Sequence, residues 1–375
     1  MNIAFYAPMK SPFHPVPSGD RRVARLLMSA LKGAGYDPEL ASDLRAYDKN
    51  GESAFQEKIH KQSAHEVARL IVEYKSRPAA DRPVAWFTYH VYHKAPDWLG
   101  PKVCKALNIP YLVAEASHAP KQAKGPWKKG YLAAAEAIQQ ANRVFHMTRL
   151  DGECLKSVVD KPQALVYLPP SIDRVSEEYT AEQADRLIAN AGGRQGVFNL
   201  LSVAMMRPGD KLESYRQLSF ALDFLPGEDW QLLVVGDGPE RLVVEEYLAS
   251  HKDRIVYMGA LEMDSLFGVY RKADLYIWPA YGEAYGMAFL EAQISGLPVV
   301  GGKIRGVPDV VLDGETGLLC APGDMREFAN TIRGMLDDPE RRNAMSTRAI
   351  QFVKEERSVQ KATTLLAEQL KQVIR

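Results

Sequence analysis

Apolar residues fall into short runs, separated by stretches in which they recur every three or four positions. Asn2 to Ala7 is the first run. A turn-like stretch from Ser11 to Asp20 follows, and then Val23, Leu26, Leu27, Ala30 and Leu31 at helical spacing. This order predicts strand, loop and helix. Further strands are predicted near 83–89, 110–115, 143–147 and 163–168, with Val67, Leu70, Ile71 and Tyr74 on one face of an intervening helix. Regular alternation of strand and helix implies a doubly wound parallel sheet.

After Asp173 the strand signal stops through the polar run TAEQADRLIANAGGRQG and resumes at Val197. A second series is then predicted near 197–203, 230–235, 254–258 and 274–278, followed by Pro298 to Val300 and Gly317 to Leu319. The expected organisation is a Rossmann-like N-terminal domain over 1–173, a linker over 174–196 and a second Rossmann-like domain over 197–357. The tail 358–375 carries Val359, Ala362, Leu365, Leu366, Leu370 and Val373 at helical spacing. Such a helix must cover an apolar surface, and the N-terminal domain is the expected one.

A length of 375 residues also favours two domains, because a single core rarely grows past about 250–300 residues. An apolar fraction of 46% and a charged fraction of 25% are ordinary globular usage and exclude a disordered or fibrous chain. The sequence lacks an uncharged run of the 18 or so residues a membrane span needs, and MNIAFYAPMK lacks the cationic start and apolar run of an export signal. Cys104, Cys154 and Cys320 are too few and too scattered for a disulfide framework or metal knuckle, so a reducing cytoplasm is expected. The 47 basic residues balance the 47 acidic ones, yet residues 1–170 hold 24 against 16. A basic N-terminal half suits a phosphorylated ligand or peripheral contact with an anionic inner membrane face, though such a bias also occurs on inert surfaces.

The most informative stretch is WPAYGEAYGMAFLEAQISGLPVVGGKIRGVPDVVLDGETGLLCAPGD, residues 278–324. Seven residues separate Glu283 from Glu291, and Gly286 marks the expected entry into a helix. With both carboxylates on that helix they would lie about 12 Å apart along its axis, the span of a nucleotide sugar. Amides of Ala284, Tyr285 and Gly286 at the helix start could receive a diphosphate, Glu291 a ribose diol and Glu283 hexose hydroxyls. Alone, two glutamates so spaced are more often a solvated helix face than a site.

The stretch resembles the donor-site signature of the retaining GT-B glycosyltransferases of family 4, in which Glu, seven residues and Glu precede a Pro-Val-Val, glycine-rich and Asp-Gly-x-Thr-Gly run. The resemblance implies two Rossmann-like domains facing across a cleft and transfer of a hexose-type sugar from a nucleotide-diphosphate sugar to an acceptor hydroxyl. It also implies that LLSVAMMRPGDKLE supplies Arg207 and Lys211 to stabilise the departing diphosphate. VVGDGPE at 234–240, with Gly236, resembles the loop after the second C-domain strand. IVYMGAL at 255–261 would set Tyr257 and Met258 beside the base, and IPYLVAEASHAP at 109–120 would set His118 close to the reacting carbon. PSGDRR at 17–22 stands where the family has a Gly-Gly loop on the donor phosphates. Ser18 replaces the first glycine there, leaving Gly19, and Arg305 and Asp309 also depart from the pattern.

Other features are less specific. GDGPER is half a dinucleotide fingerprint without its acidic partner, and reads as a phosphate-side turn. His90 and His93 in WFTYHVYHKAPDW lack a third ligand for a metal; with Tyr89 they end a parallel strand and are candidates for acceptor contacts, packing being the competing role. Lys121, Lys124, Lys128 and Lys129 around Trp127 would suit an anionic lipid or a phosphorylated acceptor as well as plain solvation. The expected partners are a UDP-, GDP- or ADP-linked sugar and a saccharide or lipid acceptor, with no metal, no further cofactor and no nucleic acid. An epimerase of the same fold or a noncatalytic nucleotide-sugar-binding protein would share these features.

Overall fold

A computed structural model describes residues 1–16, 18–173 and 179–374. Pro17 of the PSGDRR loop, the first residues of the expected linker, and Arg375 lie outside that set. The chain divides into two compact units, Met1–Ser171 with Val359–Arg375, and Ile172–Ser358.

In the first unit six strands, β1 (Asn2–Tyr6), β2 (Asp37–Ser42), β3 (Pro83–Val91), β4 (Tyr111–Ala116), β5 (Arg143–His146) and β6 (Leu165–Tyr167), form one parallel sheet. Their order is β2-β1-β3-β4-β5-β6. Helices cover the sheet, so its central strands are apolar on both faces. Phe5 stacks on Phe87 with centroids 5.8 Å apart, and Phe87 on Phe145 at 6.0 Å. Burying each such ring stabilises the fold by about 1.5–3 kcal/mol. The edge strand β2 has no counterpart among the sequence-based expectations. Half of its residues DPELAS are polar and only the last two are buried, because β2 pairs only with β1.

Helix Val359–Val373 buries Ala362, Thr363, Leu366 and Leu370 and packs on helix Gly19–Gly33. Side-chain hydrogen bonds from Arg143 to Gln369 and Gln372 hold it further. The C-terminal tail therefore completes the first unit's core.

The second unit holds β7 (Phe198–Val203), β8 (Trp230–Val235), β9 (Ile255–Gly259), β10 (Leu275–Trp278), β11 (Val299–Gly302) and β12 (Gly317–Cys320). Again the sheet is parallel, in the order β12-β11-β10-β7-β8-β9. The stretch expected as linker contains helix Ala181–Asn190, which packs on helix Met263–Lys272. Thr180 and Gln183 form a reciprocal capping box there, and only Ala184 and Ile188 are buried. That cap was the available signal; two buried residues in ten were too few to give an apolar period.

Each sheet reverses its winding once. In the first unit the reversal lies between β1 and β3, in the second between β7 and β10. Ligands of open parallel sheets bind beyond the carboxyl ends of the strands at such points. The loops after β1, β3, β7 and β10 are therefore where chemistry is expected.

Candidate functional site

Beyond β7 the chain runs through Ala204 to Gly209 into helix Asp210–Phe224. This run is held tightly: Ala204 N–H donates to Val235 O at 3.0 Å, Met206 N–H to Asp237 O at 3.0 Å, and the buried Tyr215 hydroxyl to Ala204 O at 2.9 Å. Gly236 adopts φ 136°, and a Cβ there would lie 2.0 Å from Ala204 O. Only glycine lets the loops after β7 and β8 approach so closely.

Beyond β10 the chain turns sharply, with Ala280 at φ 63° and Gly286 at φ 76° before helix Met287–Ile294. Glu283 thus lies in the loop, four residues ahead of the helix. The helical spacing expected between Glu283 and Glu291 does not apply, because the left-handed residues fold the loop back before the helix begins. Glu283 instead forms an ion pair with Lys211 Nζ from the first turn of helix Asp210–Phe224, which follows β7. Lys211 also sits over the Trp278 ring, 5.5 Å from its centroid. Lys211 and Glu283 thus meet across the winding reversal.

Glu291 lies on helix Met287–Ile294 at 6% exposure and accepts a hydrogen bond from the Tyr270 hydroxyl at 2.9 Å. Tyr285 is buried, Gly286 half-buried and Ala284 exposed. Tyr257 is half-buried beneath Arg241, 5.8 Å from its ring, with Met258 beside it on β9. Burial, then the nearby Glu245 carboxylate, push the Tyr257 hydroxyl up to about 12. Arg207 is exposed and follows Met206 at the loop's outer turn. Arg305, at φ 44°, donates from Nη1 to Gly282 O at 2.9 Å and so holds the loop that carries Glu283.

In the first unit Ser18 caps helix Gly19–Gly33, its hydroxyl accepting from Arg21 N–H at 3.2 Å. The departure from glycine therefore has a structural role. Gly19 needs no left-handed backbone, and a Cβ there would meet open space. The next residue, Asp20, reaches His90 Nδ1 at 3.2 Å, and Glu115 Oε1 lies 3.9 Å from the same nitrogen. Both His90 (φ 66°) and Glu115 (φ 56°) are left-handed residues at the ends of neighbouring strands. Burial opposes a charge on His90, but Glu115, Asp20 and Asp151 outweigh it and raise its pKa to about 9. Glu115 itself is raised by burial, against the pull of His90.

Tyr89, expected at the acceptor, is instead 1% exposed, and its hydroxyl bonds Glu115. It is buried, as Trp86, Phe87 and Thr88 before it are, because both faces of the central strands are covered. His118 lies past β4, its Nε2 3.3 Å from the Tyr131 hydroxyl, with its pKa lowered by burial. His93 sits in the turn after β3 against Trp127, ring centroids 5.8 Å apart. Among the described residues no set of three His, Cys, Asp or Glu side chains is placed to hold a metal ion.

Sequence reasoning did not assign Asp20, Glu115, Tyr270 or Asp210, whose carboxylate crowds Gly282. Asp20 and Glu115 lay within segments already singled out. Tyr270 is brought to Glu291 only by packing, across 21 residues of sequence.

Two doubly wound parallel sheets, each with polar residues at its winding reversal, define the GT-B class. A crystal structure of Anabaena HepE in complex with UDP has this fold, with a TM-score of 0.76 at 16% identity over 99% of this chain and 100% of that one. Residues 211–352 match the family model of glycosyl transferases group 1. A 2-deoxystreptamine glucosyltransferase of Streptomyces kanamyceticus is 26% identical over 64% of this chain and 65% of its own length. A sulfoquinovosyl transferase of Arabidopsis thaliana is 32% identical over 36% of this chain and 27% of its own length. The matched part of the chain thus spans less than two thirds of either relative.

Proposed function

We propose that the protein is a retaining glycosyltransferase that moves a hexose-type sugar from a nucleotide-diphosphate sugar to an acceptor hydroxyl. The observation that carries this reading is the meeting of Lys211 and Glu283 across the winding reversal of the second unit, inside the segment that matches the family. A diphosphate would compete with Glu283 for Lys211 and draw in Arg207, whose exposed side chain can reach outward. Glu283 would then be released to accept from sugar hydroxyls. Two cations at the leaving group act where negative charge grows, so they lower the barrier more than they tighten binding. Glu291, fixed by Tyr270, would take the ribose, and Tyr257 with Met258 would border the base. His118, neutral at pH 7 because burial lowers its pKa, would offer a hydrogen bond rather than a charge. Attack from the face of the departing diphosphate, whose oxygen takes the acceptor proton, needs no separate carboxylate base.

Structures of HepE with UDP, with UDP-glucose, and with UDP and glucose support a nucleotide sugar and a saccharide as the pair of substrates. A cytoplasmic setting agrees with three free cysteines. Among the described residues no helix is long and apolar enough to cross a membrane.

UDP-, GDP- and ADP-sugars are to be screened for thermal stabilisation and slow hydrolysis; a donor at 100 times its dissociation constant adds about 2.7 kcal/mol. With that donor, Lys211→Ala should lower kcat by roughly a hundredfold or more while the protein stays folded, and Glu283→Gln should also lose transfer. Full activity in either variant refutes the assigned role. Conversion of the donor without an acceptor would identify an epimerase instead.

A further inference from the structure

One charged region of the first unit takes no part in the reading above. His93 and Lys94 form the turn after β3, closed by paired backbone hydrogen bonds between Tyr92 and Ala95. Lys94 lies over the Trp127 ring, its Nζ 4.5 Å from the centroid. Lys121 follows β4 in the short helical turn Pro120–Lys124, close enough for its charge, with that of Lys94, to act on His93. Burial first, and then these two cations, hold the His93 pKa below its ordinary value. Among the described residues neither lysine is placed in an ion pair, whereas Lys129 close by is paired with Glu57.

The frame around these cations is fixed. Helix Lys128–Gln140 starts against the turn, since a Cβ on Gly130 would lie 2.1 Å from His93 O. That helix start has no acidic residue in its first turn and no side-chain cap. Of the nearby carboxylates, Glu57 is taken up by Lys129, and Asp48 is turned away: it accepts from Gln56 Nε2 at 2.7 Å and from the backbone N–H groups of Asn50 and Gly51. His93 Nδ1 is a buried ring nitrogen without a hydrogen-bond partner. Two lysines without an ion pair, a helix start without a side-chain cap and an imidazole nitrogen without a partner thus come from neighbouring segments at this corner. An anion is the group such a corner is built to receive.

We infer that this corner is an anion subsite in which Lys94 and Lys121 hold a phosphate monoester carried by a small soluble acceptor. The inference rests on the transferase reading and adds to it the chemical class of the acceptor. A membrane surface fits less well, because Trp127 is turned inward: its indole N–H donates to Asp48 O at 2.9 Å and Lys94 covers its face. An indole so held cannot anchor at a lipid interface.

The test uses the full chain with histidine ring nitrogens labelled for NMR, titrated with inorganic phosphate against chloride at equal ionic strength. Phosphate should saturate, raise the pKa of His93 and leave His146 unmoved. Lys94→Gln and Lys121→Gln should each weaken phosphate by about tenfold, as loss of a charge-assisted hydrogen bond does, and leave UDP affinity unchanged. A wild-type His93 that ignores phosphate, or a double variant that binds it within twofold of wild type, overturns the subsite. So does loss of binding to vesicles of equimolar phosphatidylglycerol and phosphatidylcholine in variants whose phosphate affinity is unchanged. Stabilisation by UDP is read on the same samples. If phosphate binds as described and no nucleotide does, the subsite stands and the transferase reading falls.

Discussion

His90 gives the sharpest test of how the first unit holds its strand ends. Its ring joins Asp20 at the start of helix Gly19–Gly33 to Glu115 at the end of β4, so it ties together three segments at the winding reversal. A proton affinity raised from 6.5 to about 9 means that the imidazolium is bound more tightly in the folded protein than in the unfolded chain. At about 1.4 kcal/mol per tenfold change, that is roughly 3 kcal/mol of stability. The contribution is complete below pH 6.5, falls as the pH climbs, and is gone above about 9. His90→Asn is the informative substitution, because asparagine tolerates the left-handed backbone at φ 66° and removes only the charge and ring. Urea denaturation of the full chain from pH 6 to pH 10 reads the result. The wild type should lose stability across that interval, and the variant should start lower by up to about 3 kcal/mol and converge with it at high pH. A wild-type profile flat through pH 9, or an unchanged slope in His90→Asn, refutes the reasoning.

Two further substitutions probe the second unit. Tyr270→Phe removes the hydroxyl that bonds the buried Glu291 and should cost about 1–3 kcal/mol in urea denaturation while weakening nucleotide-sugar binding; unchanged values of both would remove Glu291 from the site. Gly236→Ala puts a methyl 2.0 Å from Ala204 O and should cost about 3 kcal/mol, read as a lower midpoint of thermal unfolding; a wild-type midpoint would mean the loops after β7 and β8 are free to separate.

Strands buried on both faces were legible because nothing else in a chain of this size produces such continuous apolar runs: β3, β7, β8 and β10 each stand where the pattern put them. β2 and helix Ala181–Asn190 were not, since each buries too little for hydrophobicity to mark it. The site divides in the same way. Glu283, Lys211 and Gly286 were readable from spacing against a family pattern. Their geometry was not, because the loop that carries Glu283 turns at the left-handed residues Ala280, Gly282 and Gly286 and is held by the side chain of another, Arg305. No spacing rule indicates that alanine or arginine will adopt such a conformation. The partnership of Tyr270 with Glu291 and that of Asp20 with His90 depend on which helix crosses which strand end, and a linear pattern carries no such information.

Net charge illustrates why summed quantities mislead. Residues 1–170 carry 24 basic and 16 acidic side chains, which suggests one broad basic face. Along the strand ends the charge is instead divided. Asp20, Glu115 and Asp151 surround His90, while Lys94 and Lys121 flank His93. A ladder of ring contacts joins the two groups, from His90 to Tyr92 at 4.9 Å, Tyr92 to His93 at 5.3 Å and His93 to Trp127 at 5.8 Å. At physiological salt a charge is screened over about 8 Å, so a ligand arriving at one end of this ladder senses the nearer group and little of the domain's total. The acidic end offers acceptors for hydroxyl groups, and the basic end offers donors for an anion. On the proposed reading, a molecule bearing both, with its hydroxyls toward His90 and its phosphate toward Lys94, would satisfy the two ends at once, whereas a neutral saccharide would bring no anion to the lysines.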